Sequence, residues 1–463
     1  MMNLNTRPRV DGLDVARGLA VLGMFAAHVG AAGTPFTWGD PASWSALVHG
    51  RSSILFAFCA GVSLVLATAG RVDGPPARVT DRRRVVGRAI AVFALGALMM
   101  ALQTPINVIL PTYAVLFVAT VPFLRARLRT LVLLAGTSLV VGPVVAVVGE
   151  ALTGPGSGFV GDVLVRGYPA VSWWGIVLAG VVVGRAGLER GRALALLLVA
   201  GSGCALVGYG GGFLLRLGLG LEPPAPSTSV NAADLGGDSA GGSSVAVPPD
   251  GSVAPIATDG SAGVHLDWER LTGLFPHAGS TAELLGGLGV AMAVLAICCL
   301  LTRRRRHVLG PIATVGTLAL TLYCAHVVAF RIWTAFGTPG AAEPGGPTGG
   351  DPAPPLGGWV PFLVLALAST VFAVLWRRLR GSGPLERLTR WASRRFDDPA
   401  PSGPRPVRVP DADRTDDGPG DQQQRHHDHR AVQTGDAHLP AEHHAGERDH
   451  HETGDPGDRV VHR

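Results

Sequence analysis

The sequence predicts an all-α fold: a polytopic transmembrane helix bundle with about ten spans, a flexible extracytoplasmic loop and a disordered C-terminal tail. Three observations carry that reading. Apolar runs of membrane-spanning length recur along the whole chain. The connections between them are alternately rich and poor in Arg. The composition is 47% hydrophobic and only 16% charged over 463 residues, with a mean hydropathy of +0.32. That balance suits a membrane protein with soluble appendages better than a series of soluble domains.

The first span is Leu13 to Gly30, LDVARGLAVLGMFAAHVG. At 1.5 Å per residue, ~18 residues cross most of a ~30 Å hydrocarbon core. A cleaved signal peptide does not fit, because the run carries Asp14 and Arg17 and further spans follow. Residues 31–50 form a loop rich in Gly, Pro and Trp, and its Trp38 and Trp44 suit an interfacial belt. The second span is about 52–69. The third (about 86–102) and fourth (about 107–124) are joined by QTPIN, with Gln103 and Asn107 as loop or cap residues. The fifth covers about 130–149. A Gly/Pro loop, 151–168, leads to the sixth, about 169–185, opened by Trp173 and Trp174. The seventh covers about 193–215.

Residues 218–278 are Gly, Ser, Pro, Asp and Ala with little periodicity, which predicts a flexible loop. The eighth span, about 280–301, ends at RRRRH. The ninth covers about 308–330. A Pro/Gly loop at 337–357 precedes the tenth, about 358–376, which ends at WRRLR. Residues 1–396 thus form one membrane domain, and 397–463 form a polar tail holding nine of the 15 His. The tail's His spacing matches no defined metal site, so disorder is expected.

Ten spans place both termini on one side. On that side the N-terminus and the loops after spans two, four, six and eight carry 18 Arg, excluding Arg17; the other side carries Arg51, Arg166, Arg216, Arg270 and Arg331. The Arg-rich side, with both termini, is expected to be cytoplasmic in a multi-pass cell-membrane protein. No aromatic residues interleave these Arg runs, so nucleic acid is not an expected partner. The five Cys all fall within spans, without zinc-like spacing, and read as packing residues.

The chemistry sits on the first span. Asp14 and Arg17 are three residues apart and share a helical face. Arg17 and His28 are eleven apart, so they point the same way to within ~20° and lie roughly 16 Å apart along the axis. An ionisable stripe in a membrane helix faces a bundle interior or a polar cavity; the alternative is that Arg17 and His28 snorkel to opposite interfaces. His49 and Arg51 at the start of the second span, and Tyr323 and His326 late in the ninth, fall at the depth of His28. Either these residues line one outward-facing cavity for substrate, with a polar path running to Arg17, or they fill interfacial and core positions. A neutral imidazole can take a proton from a hydroxyl or amine and return it. An Arg fork suits phosphate or pyrophosphate, which acyl-CoA presents. The layout fits acyl transfer, with the donor held by Arg17, Asp14 orienting Arg17, and attack assisted by His28.

The run Leu13-Asp14-x-x-Arg17-Gly18, followed by His28, resembles the first helix of the transmembrane acyltransferase superfamily, with its LDxxRG opening and its Arg, ten residues, His pattern. GRSSILFAFCAGVSL, TLALTLYCAH and GPLERLTR resemble bacterial proteins grouped with the heparan-alpha-glucosaminide N-acetyltransferase catalytic domain, and also the YeiB-like family. The resemblance implies that His28 is the catalytic base, that Arg17 engages the donor, that acyl-CoA (acetyl-CoA) is the donor, and that a sugar or envelope glycan is the acceptor; a lipid-linked sugar is a further expected acceptor, and no metal is expected. The 218–278 insertion and the tail have no counterpart in that pattern. Two other readings stay open: a transporter of small metabolites with the stripe as a proton path, and a non-catalytic membrane scaffold.

Overall fold

A computed structural model describes residues 10–29, 36–68, 75–104, 106–153, 158–221, 266, 268–336 and 359–395. The chain divides into two units, Met1–Pro399 and Ala400–Arg463. The His-rich tail, the 337–357 loop and most of the 218–278 loop lie outside the described residues.

Among the described residues every regular element is helical. The α-helices are α1 (Asp11–Val29), α2 (Arg51–Thr68), α3 (Pro75–Met100), α4 (Leu110–Thr120), α5 (Leu128–Thr153), α6 (Gly158–Leu164), α7 (Ala170–Ala186), α8 (Gly191–Ala205), α9 (Gly212–Gly218), α10 (Thr281–Thr317), α11 (Ala319–Phe336), α12 (Trp359–Arg380) and α13 (Pro384–Arg395). Six helical runs are long and apolar enough to cross a membrane: α1, 43–68, α5, 191–218, α10 and α12. Leu110–Phe123, Ala170–Ala186 and Ala319–Trp333 are apolar but shorter.

The structure therefore does not reproduce ten helices of spanning length, for local reasons. The third span begins earlier than expected, at Pro75, so α3 carries Arg82, Arg83, Arg84 and Arg88 ahead of its apolar stretch. The fourth tightens into a 3-10 turn, Val121–Phe123, around Pro122. The seventh contains a π turn, Leu206–Gly211, between α8 and α9. α10 is two helices meeting at a kink, Arg305 (φ −131°, ψ 39°), which separates the expected eighth and ninth spans. The expected ninth span is broken again at Leu318 (φ −110°, ψ 22°).

That break is stabilised from far along the chain. Glu386 of α13 accepts from the Leu320 and Thr321 amides at 2.9 and 3.1 Å, and from Thr321 Oγ1 at 2.5 Å. A carboxylate on the free N–H groups of a helix start acts as a cap. Gly383 leaves room for it, because a Cβ there would collide with the Glu386 carboxylate. The GPLE stretch thus anchors α11.

Apolar stripes gain little against lipid tails, so close backbone packing holds membrane helices together. α1 packs on α10 through glycines: a Cβ on Gly18 would run into the Ile312 carbonyl, and one on Gly316 into the Asp14 carbonyl. α2 and α7 touch likewise at Gly61 and Gly180. Arg-rich connections gather at the N-terminal end of α1. Arg306 Nε donates to Asp11 Oδ2 at 2.8 Å, and Arg125 pairs with Asp81 at 3.3 Å. Arg185 and Arg303 donate to the Ala126 and Glu189 carbonyls.

Candidate active site

The helical period puts Asp14 and Arg17 one turn apart on α1, and the ion pair follows: Arg17 Nη1 lies 3.4 Å from Asp14 Oδ1. Arg17 Nη2 donates to Ser63 Oγ on α2, and Ser63 Oγ donates in turn to the Cys59 carbonyl. Asp14 is 7% exposed. The guanidinium is therefore gripped from two helices with part of its surface open.

Val21 and Met24 occupy the same face of α1 between Arg17 and His28, and both are buried. The polar path expected between the two ends is interrupted by these packed side chains. A groove of about 450 Å³ lies elsewhere, between α3 and α11, lined by Leu95, Met99, Thr321, Cys324, Val328 and Ile332 among others.

At the other end of α1, His28 meets His326. Nδ1 of His28 lies 3.2 Å from Nε2 of His326. The rings are within 7° of parallel, with centres 5.3 Å apart. Rings whose nitrogens approach that closely while their centres stay so far apart face each other edge to edge, the geometry of an N–H···N hydrogen bond. Phe25 and Tyr323 pack on the His326 ring at 5.0 and 5.1 Å. His49 stands at 5.4 Å, edge-on, from His277, which meets Tyr168 at the same distance.

Four of the expected residues, His28, His49, Tyr323 and His326, thus lie at one end of the bundle. Arg51 is at the same end but its guanidinium turns away. Its Nε donates to Tyr209 Oη at 3.1 Å, its Nη1 donates to the Ala46 and Leu47 carbonyls, and its Cζ lies 4.8 Å over the Tyr209 ring. It braces the start of α2 against the π turn.

Sequence reasoning missed His277 and Tyr168. Residues 268–278, expected to be flexible, are structured: a 3-10 turn, Glu269–Thr272, leads to His277 at φ 65°. Glu283 fixes this segment by accepting from the His277 and Gly279 amides at 3.0 and 2.8 Å, while Ser280 Oγ caps the Glu283 amide at 3.0 Å. Ser280-x-x-Glu283 has the spacing of a capping box, with the Glu283 carboxylate turned to the His277 and Gly279 amides, and it is the local signal that an ordered turn precedes α10. Burial pushes the His277 imidazole down to about 3 and the Tyr168 phenol up to about 12. Among the described residues no group of three or more His, Cys, Asp or Glu is placed to hold a metal ion.

Residues 9–202 match the family described as heparan-alpha-glucosaminide N-acetyltransferase, catalytic. Residues 264–395 match the family described as protein of unknown function DUF418. No curated protein and no solved structure matches the chain. The resemblance to both families read from the sequence is borne out over these two segments, each shorter than half of the chain. The site draws on both segments: Asp14, Arg17, His28 and His49 come from the first, and His277, Tyr323 and His326 from the second.

Proposed function

We propose that this is an integral membrane acyltransferase, moving an acetyl or other acyl group from acyl-CoA to an extracytoplasmic sugar, envelope glycan or lipid-linked sugar. Arg17, oriented by Asp14, receives the donor's phosphate groups at the cytoplasmic end, the side that the Arg distribution favours. His28 is the base. Its Nε2 takes the proton of the acceptor hydroxyl or amine, the freed oxygen or nitrogen attacks the thioester carbonyl, the C–S bond breaks, and the thiolate leaves to be protonated. His49, Tyr323 and His326 form the acceptor side, with Arg51 beside them. Met24, flexible and unbranched, is the group that must yield for an acyl-bearing arm to pass from one end to the other.

The observation that carries this reading is the pairing of Arg17 and His28 on one face of α1, roughly 16 Å apart, each engaged by a polar side chain from another helix. The test is acetyl transfer from labelled acetyl-CoA to glucosamine by the purified full chain in lipid nanodiscs. Turnover retained in a correctly folded His28→Ala variant would refute the base.

A further inference from the structure

The geometry points to His326 as a positioning residue for His28: it fixes which ring nitrogen of the base carries the hydrogen and shares the charge when the base is protonated. This rests on the reading of His28 as the base.

His326 is 4% exposed, and its Nε2 faces His28 at hydrogen-bond distance. Its other nitrogen, Nδ1, makes no well-aligned hydrogen bond, but it faces the backbone carbonyls of Leu322 and Tyr323 one turn back on α11. Buried polar atoms are normally well satisfied, and an apolar ring would fill the gap beside Phe25 and Tyr323 without this poorly matched nitrogen. What the imidazole adds at this position is the bond to His28.

The consequence concerns tautomers. A neutral imidazole carries one ring hydrogen, and the hydrogen bond made by one nitrogen decides the state of the other. The N–H···N bond across the pair allows two arrangements. If His28 donates through Nδ1, its Nε2 is bare and can accept a proton. If His326 donates through Nε2, His28 holds its hydrogen on Nε2 and cannot act as a base there. Catalysis by His28 needs the first arrangement, with His326 Nε2 as acceptor. The Leu322 and Tyr323 carbonyls favour that arrangement, because they can only accept and so draw the His326 hydrogen to Nδ1. When His28 takes the substrate's proton on Nε2, the positive charge spreads across the same bond. The proton then returns to the leaving thiolate by the same route, so no other reagent is required. His28 comes from the acetyltransferase-matched segment and His326 from the DUF418-matched one, so the second segment completes the first.

Two conservative variants separate this from simple packing. The Gln amide reaches the place of Nε2 on an imidazole, whereas the Asn amide reaches only the place of Nδ1. Full-length protein in nanodiscs, with 15N-labelled histidine rings and His28→Gln for assignment, reports the tautomer directly. His28 should show a protonated Nδ1 and a bare Nε2 in the wild type and in His326→Gln. In His326→Asn it should shift toward Nε2–H, with kcat for acetyl transfer to glucosamine down about a hundredfold and KM for acetyl-CoA unchanged. His28 found with its hydrogen on Nε2 in the wild type overturns the proposal. So does a His326→Asn protein whose ring spectrum matches the wild type. The ring spectrum decides this even where glucosamine is not accepted, and transfer that survives His28→Ala removes the base reading separately.

Discussion

The two ends of α1 are built on different plans. At the Asp14 end, charge is met by charge and hydroxyl within two helices, through one i,i+3 pair and one neighbour, Ser63. At the His28 end, imidazole rings converge from α1, the lead-in to α2, the turn before α10, and α11. The first plan suits a permanent grip on an anion. The second suits a proton that arrives and leaves, because imidazoles held beside one another can exchange it without creating a lasting charge. In the proposed enzyme the Arg17 end governs donor affinity and the His28 end governs the chemical step.

Substitutions should break the two ends differently. The largest expected effect is His28→Ala, with kcat for acetyl transfer down about 10²–10⁴-fold and KM for acetyl-CoA nearly constant. A rise in that KM matching the fall in kcat would erase the division of labour.

Next is a pH effect confined to the ring-built end. Burial holds His277 neutral down to about 3, while an unfolded histidine takes its proton near 6.5. Below 6.5 the unfolded chain binds that proton first, so stability falls as pH drops toward 3. The ring keeps some surface open, so the loss is at most about 2 kcal/mol near pH 5. Its neighbours His49, Tyr168 and Glu283 stay in place in His277→Gln, so the variant's melting temperature should fall less steeply between neutral and mildly acidic buffer. An unchanged slope would place the acid sensitivity elsewhere.

A smaller effect belongs to the charged end. Arg17→Lys keeps the charge and loses the fork. KM for acetyl-CoA should rise about tenfold, near 1.4 kcal/mol, with kcat largely preserved. A fall in kcat alone would mean that Arg17 serves the reacting atoms and not the donor's grip.

Legibility in the sequence followed the same contrast. The Asp14–Arg17 pair could be read because both residues sit on one helix, where spacing fixes direction. Hydropathy found the helices for a similar reason. It missed the break at Leu318, since an apolar run looks the same to lipid whether or not the backbone is interrupted. The His28–His326 bond joins positions 298 residues apart, and no local pattern encodes such a partner. Composition also misled at 268–278, where Gly and Pro suggested flexibility but Ser280 and Glu283 tie the turn down.

The smallest expected effect tests whether the ring-built end depends on a part of the chain that touches no ring. Glu386 fixes the first turn of α11, the helix whose next turns carry Tyr323 and His326. Replacing Glu386 by Ala removes the acceptor for two amides and a hydroxyl, and losing a cap of this kind costs about 1 kcal/mol. Glu386→Gln keeps one oxygen, enough to accept from both amides as Glu386 Oε1 does, and should cost less. Thermal unfolding measures both. The sharper measurement is the His28 ring spectrum in Glu386→Ala. A spectrum like the wild type's would mean that packing by Phe25 and Tyr323 seats His326 without help from the cap. A shift toward Nε2–H would show that α13 sets the register of α11, so that a carboxylate at the Arg17 end of the bundle controls the tautomer of the base at the other end.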